Sequence, residues 1–222
     1  MSTARPPIGI ARRTVLRHGM SLALVLAAGA CTPLALARRA PPSLHRLTPK
    51  TTFPDDLSDL GYRLMVEPPS AASGLNTARI ALRPGPMSLD YFADAQWIEV
   101  VPIMVQVLLL ESFDASDAFD VLAPESTGLR PDFVLRIFIR EFQAEYDQGL
   151  GHPPWVNVHL QVRLLRMPRR ESLATFSASE AVRAAGTPLD QVIIAFDEAL
   201  GRVQRRIVEW TIAQVVEVTQ ET

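Results

Sequence analysis

The residue best placed to do covalent chemistry is Cys31, the one cysteine of the chain. It closes the run Ala27-Ala28-Gly29-Ala30-Cys31, which looks like a bacterial lipobox. Small side chains must precede the cysteine because the processing peptidase binds them in tight pockets. The thiol is then the atom that receives the diacylglycerol. Ala28 departs from the pattern, which prefers Leu three residues ahead of the cysteine. A rival cut for the ordinary signal peptidase lies at Ala35-Leu36-Ala37, before Arg38. A single cysteine also excludes a disulfide framework and any cysteine-cluster metal site.

Nothing else in the chain asks for catalysis. There is no G-x-S-x-G elbow, glycine-rich phosphate loop or H-E-x-x-H segment. His45, His152 and His159 follow the apolar run, and His152 and His159 stand seven apart without a companion carboxylate at ligand spacing. Asp55, Asp56 and Asp59 cluster before a strand, but no glycine-punctuated loop surrounds them, so they read as a solvated cap rather than a Ca²⁺ site. The expectation is a non-enzyme with no metal and no cofactor. The remaining candidate site is a face. Asn157, His159, Gln161 and Arg163 alternate along one strand, and Arg136 and Arg140 do so along another. Arginine-rich sheet faces form bidentate pairs with partners, although a merely solvated face has the same pattern. Phe138, Phe142 and Trp155 are expected near it.

The elements that position these residues begin with the front end. Arg5, Arg12, Arg13 and Arg17 precede Gly19–Ala30, an uncharged apolar run of twelve residues, and no acid occurs in Met1–Ala30. Such a run is too short for a hydrocarbon core that needs about 20 residues. Basic residues ahead of a short apolar run are the layout of an export signal, and Ala11–Arg17 resembles a twin-arginine signal, with Val15 where Phe is usual. The expected division is 1–30 signal peptide, 31–54 tether, 55–215 a single domain and 216–222 tail. Thr32–Pro54 is rich in Pro and Ala without a sustained period, which suits an extended tether. His45 is expected to be solvated within it.

The whole chain has 222 residues, 48% of them hydrophobic, with 22 basic against 24 acidic side chains. That excludes wholesale disorder, suits about one domain plus extras and offers no concentrated basic face for nucleic acid. In the body, Tyr62–Val66 and Ala78–Arg83 alternate between proline-flanked loops, and Leu89–Phe92 and Phe119–Leu122 are short strand candidates. Pro102–Leu110 is apolar nearly all round and is expected to be a buried helix of about 12 residues. Phe133–Arg140 and Val156–Leu164 alternate clearly, with Leu135, Ile137 and Ile139 on one face and Arg136, Phe138 and Arg140 on the other. Ala174–Val182 is a weaker third strand. Thr187-Pro188-Leu189-Asp190 starts a helix whose stripe runs Leu189, Ile193, Phe196, Leu200, Val203, Ile207, Trp210. The fold class is α/β, a mixed, partly antiparallel sheet with two main helices packed on it, in a single domain.

The order of these features resembles the ABC-type transport auxiliary lipoprotein component family. The carriers are Cys31, Tyr62-Arg63-Leu64, Leu75–Ala81, Leu89–Ala93 followed by Trp97 and Pro102, Asp132–Leu135 with Phe142, and Glu209-Trp210. Asn76 stands where the family usually has Asp, and Phe92 where it often has Tyr. The resemblance implies a non-enzymatic lipoprotein accompanying a mammalian-cell-entry (MCE) type lipid transporter of a Gram-negative envelope. Its implied partners are an MCE-domain protein and the ABC permease and ATPase of the same system, with membrane contact through the lipid anchor. It also implies assembly into a homo-oligomeric ring, and the Thr32 after the cysteine fits an outer-membrane location facing the periplasm. Read from the residues without that resemblance, a periplasmic ligand-binding protein or hydrolase, or a structural envelope lipoprotein, stays open.

Overall fold

The computed structural model describes residues 41–54, 59–122 and 128–220. In chain order they form β1 (Ser43–His45), β2 (Arg63–Val66), β3 (Ser70–Ala71), β4 (Arg79–Arg83), β5 (Asp90–Trp97), α1 (Val101–Asp114), β6 (Asp120–Leu122), β7 (Phe133–Glu145), β8 (Trp155–Arg166), β9 (Glu171–Arg183) and α2 (Leu189–Gln220). The export signal and Cys31 lie outside the described residues.

Three long strands organise the sheet. Alternating β-branched and aromatic residues fit the pleat, and β7, β8 and β9 pair antiparallel, from Phe133↔Arg166 to Glu145↔Trp155 and from Trp155↔Arg183 to Arg166↔Glu171. The other edge of β7 carries three short strands end to end, all parallel to it: β2 at Leu64↔Phe133, β3 at Ser70↔Phe138 and β4 at Leu82↔Ala144. Beyond them, β5 runs antiparallel to β4, β1 lies parallel to β5, and β6 is parallel to β2. The sheet is therefore mixed, and both main helices pack on one of its faces.

A register shift in β7 between Ile139 and Glu141 changes which side chains point inward. Before it, Leu135, Ile137 and Ile139 are buried; after it, Phe142 and Ala144 are. An extra residue in one strand reverses the side-chain alternation beyond it. Phe142, expected near the polar face, is instead a core residue. Its ring lies 5.9 Å from Trp97 and 5.2 Å from Phe196, and Trp97 meets Phe196 edge-on at 5.2 Å.

Helix α1 is 14 residues long and buries most of its apolar residues, while Ile103, Val107, Glu111 and Asp114 stay exposed along one side. Its polar residues are satisfied locally: Gln106 Nε2 donates to the Val66 carbonyl at 2.9 Å, and Ser112 Oγ donates to the Leu108 carbonyl at 2.8 Å. Helix α2 buries a stripe that includes Val192, Phe196, Leu200, Val203, Ile207 and Val215, and on its wet face Arg205 pairs with Glu209 at 2.7 Å. It continues to Gln220, so residues 216–220, expected as a tail, are its last turn and more.

The described half of the expected tether is not free chain. Ser43–His45 is a strand on β5, and residues 46–54 cross between the helices as a strap. Asp197 of α2 accepts from the Thr48 backbone N–H at 2.6 Å and from its hydroxyl at 2.9 Å. The Lys50 N–H is shared between Ser112 Oγ of α1 and Gln204 Oε1 of α2, each at 3.0 Å. Leu47 is buried and Phe53 packs on the core. The strap holds because helix side chains satisfy its backbone donors while its apolar side chains enter the groove. His45 is half-buried rather than solvated, and its Nε2 has no hydrogen-bond partner among the described residues.

Candidate functional site: the outer sheet face

The face of β7–β9 turned away from the helices gathers all six residues of the expected row. Arg136 stands opposite Arg163 across β7 and β8, and Gln161 stands opposite Phe138. Two like charges directly across a sheet repel, and a carboxylate that follows the end of β2 relieves this pair. Glu67 accepts from Arg136 Nε at 2.9 Å and from Arg170 at 2.6 Å. Partial burial pushes the Glu67 carboxyl up, but hydrogen bonds from Arg136 and Arg170, together with their charges, outweigh it and hold the pKa below the usual glutamate value.

Arg140 donates to Gln161 Oε1 through Nε at 3.1 Å, and its guanidinium lies 4.7 Å from the centre of the Phe138 ring. Asn157 Nδ2 donates to Glu145 at 2.7 Å. His159 Nε2 lies 2.6 Å from Ser177 Oγ on β9. Asn157, His159 and Gln161 are thus half-buried and hydrogen-bonded, whereas Arg136, Arg140 and Arg163 are exposed. The Arg163 side chain makes no hydrogen bond or ion pair with another described residue. It lines a shallow depression of about 220 Å³ together with Ser70, Arg136, Phe138, Gln161 and Thr175. Near one end of the face, half-exposed Trp155 lies under Arg183, 5.6 Å from ring centre to guanidinium.

Exposed guanidinium groups, two aromatic rings and a row of small hydroxyl residues (Thr175, Ser177, Ser179) make a surface that can take carboxylates and flat apolar groups from a partner. Sequence reasoning missed Glu67 and Arg170. Glu67 reads as the end of a short strand before Pro68-Pro69, and nothing local shows that it meets residues 69 and 103 positions away.

Other candidates stay separate. Among the described residues no group of three or more His, Cys, Asp or Glu side chains is arranged to hold a metal. Asp59 caps the Gly61 N–H at 2.8 Å, while Asp55 and Asp56 lie outside the described residues. No described helix is long and apolar enough to cross a membrane.

The profile of the family described as ABC-type transport auxiliary lipoprotein component matches residues 46–208, and the chain belongs to that family. An uncharacterised protein of Bradyrhizobium diazoefficiens is 27% identical over 161 residues, 70% of this chain. The matched region spans only 41% of that relative's length. A crystal structure of a Xanthomonas campestris protein shares the fold with a TM-score of 0.74, at 24% identity, covering 80% of this chain and 99% of that one. A second solved structure, of an uncharacterised protein, has a TM-score of 0.60 at 12% identity and covers 77% of this chain and 99% of that one.

Proposed function

We propose that this auxiliary lipoprotein is the non-catalytic docking subunit of an MCE-type lipid transport system, anchored by acyl chains on Cys31 and holding its partner on the outer sheet face. The partner is the MCE-domain protein, and an ABC permease and ATPase on other chains supply the energy. The cargo is phospholipid or a similarly apolar molecule, which needs an apolar path across an aqueous gap. The location is the outer membrane, facing the periplasm.

The observation that carries this reading is the asymmetry of the sheet in a chain of this family. Two helices and the strap cover one face, while the other keeps Arg163 exposed beside Phe138 and Arg136. Glu67 positions Arg136 at the edge of that face, so the guanidinium is held before any partner arrives. Several acyl chains on one cysteine give stable anchoring, whereas one chain binds only marginally.

The test is intact mass of the membrane-extracted protein beside a Cys31→Ala variant, with the co-purifying proteins identified. A chain beginning at a triacylated Cys31 and accompanied by an MCE-domain protein is the expected result. A soluble chain beginning at Arg38, with no transporter component, overturns the proposal and favours a periplasmic ligand-binding or structural role.

A further inference from the structure

Four apolar side chains remain in water at the corner where the described chain begins. Leu44 is 64% exposed, Ile98 54%, Ile103 45% and Val107 44%. Single exposed apolar residues are ordinary, but the pairing of β1 with β5 brings Leu44 close to Ile98. Leu44 stands opposite Gln96, and the Ile98 N–H donates to the His45 carbonyl at 2.9 Å. Ile98 is followed within three residues by α1, on whose outward side Ile103 and Val107 lie one turn apart. The other apolar residues of that helix are buried or packed on the core.

We infer that this corner seats on a lipid surface and gives the domain a second membrane contact beyond its acyl anchor. The inference rests on acylation at Cys31. Three features choose a membrane over another occupant. The strap begins the folded domain early, so nine residues (32–40) separate Cys31 from Pro41. At ~3.3–3.6 Å per residue they hold Pro41 within about 35 Å of the anchored cysteine. Leu44 follows three residues later. Basic residues flank the apolar ones: Arg38 and Arg39 precede them in the chain and exposed Arg46 follows. Apolar side chains with neighbouring arginines suit the boundary between acyl chains and anionic headgroups. Glu99, the acid next to Ile98, is turned back on the backbone, accepting from the Val100 N–H at 2.9 Å.

The test reconstitutes the full acylated chain into phosphatidylethanolamine/phosphatidylglycerol vesicles containing brominated lipid. An environment-sensitive fluorophore is attached at Ile103→Cys or, as control on the outer sheet face, at Thr175→Cys, and intact mass is measured on the same samples. The expected result is quenching at position 103 at least threefold that at position 175. Equal quenching at both positions, or none at 103, in a chain of acylated mass overturns the membrane seat and leaves the anchor standing. A chain lacking the acyl mass removes the anchor reading instead; quenching at 103 by added vesicles then still supports the seat, and its absence overturns it. A 103 probe shielded without vesicles, in a chain of dimer mass, assigns the corner to a second copy and also overturns it.

Discussion

Glu67 holds two guanidinium groups, one from β7 and one from the turn between β8 and β9, and this is where residue chemistry shapes the outer face. Its folded pKa is lowered, so the stability it contributes is present above the ordinary glutamate value of about 4.3 and is lost as pH falls through the folded value. Thermal melts between pH 7 and pH 3 should therefore show a smaller acid loss in Glu67→Gln than in the native protein. Both arginines are about half exposed, so the neutral-pH cost of that change should stay below about 1 kcal/mol. Arg163 makes the complementary case. Its side chain bonds to no other described residue, and Arg163→Glu should leave stability within about 0.5 kcal/mol of native in denaturant unfolding. The row itself was legible, since Asn157, His159, Gln161 and Arg163 alternate with valines and leucines. Its bonds were not, because Glu67, Arg170 and Ser177 come from elements whose neighbours only the sheet topology defines.

Among the elements, the strap and the β7 bulge carry most of what the pattern could not reveal. Residues 41–54 contain four prolines and no period, which reads as tether. What fixes them is Asp197, Ser112 and Gln204, which lie on two helices far along the chain. Leu47→Ala should cost about 2–4 kcal/mol in urea unfolding, as expected for a buried leucine. Asp197→Ala should cost about 1–2 kcal/mol and speed amide exchange at Thr48 while leaving the β8 amides protected. The bulge explains the error over Phe142. Strict alternation carried past Ile139 puts it on the wet face, and one inserted residue turns it inward onto Trp97 and Phe196. Phe142→Ala should accordingly lose about 3–5 kcal/mol, a core cost and not a surface one. The long strands and α2 were legible because each has a sustained period of two or of 3.6, and α1 because a long apolar run follows a proline at its first turn.

For the whole molecule, the sheet divides the labour. One face is spent on the core; the other is the proposed docking face, and the strap leaves nine residues (32–40) between Cys31 and Pro41. With Cys31 acylated as proposed, so short a leash would concentrate that face near the membrane and near components of the same envelope. The family was legible from the order of Tyr62, Trp97, Pro102, Asp132 and Trp210, and its match over residues 46–208 establishes it. The partner-bearing face of a docking subunit should lose its partner when its exposed charge is reversed and its fold is not. The direct measurement is recovery of the MCE-domain protein with native and Arg163→Glu chains, extracted from membranes in equal amount and with equal mass and melting temperature. The account predicts at least a tenfold lower recovery with Arg163→Glu, and equal recovery from both chains would contradict it.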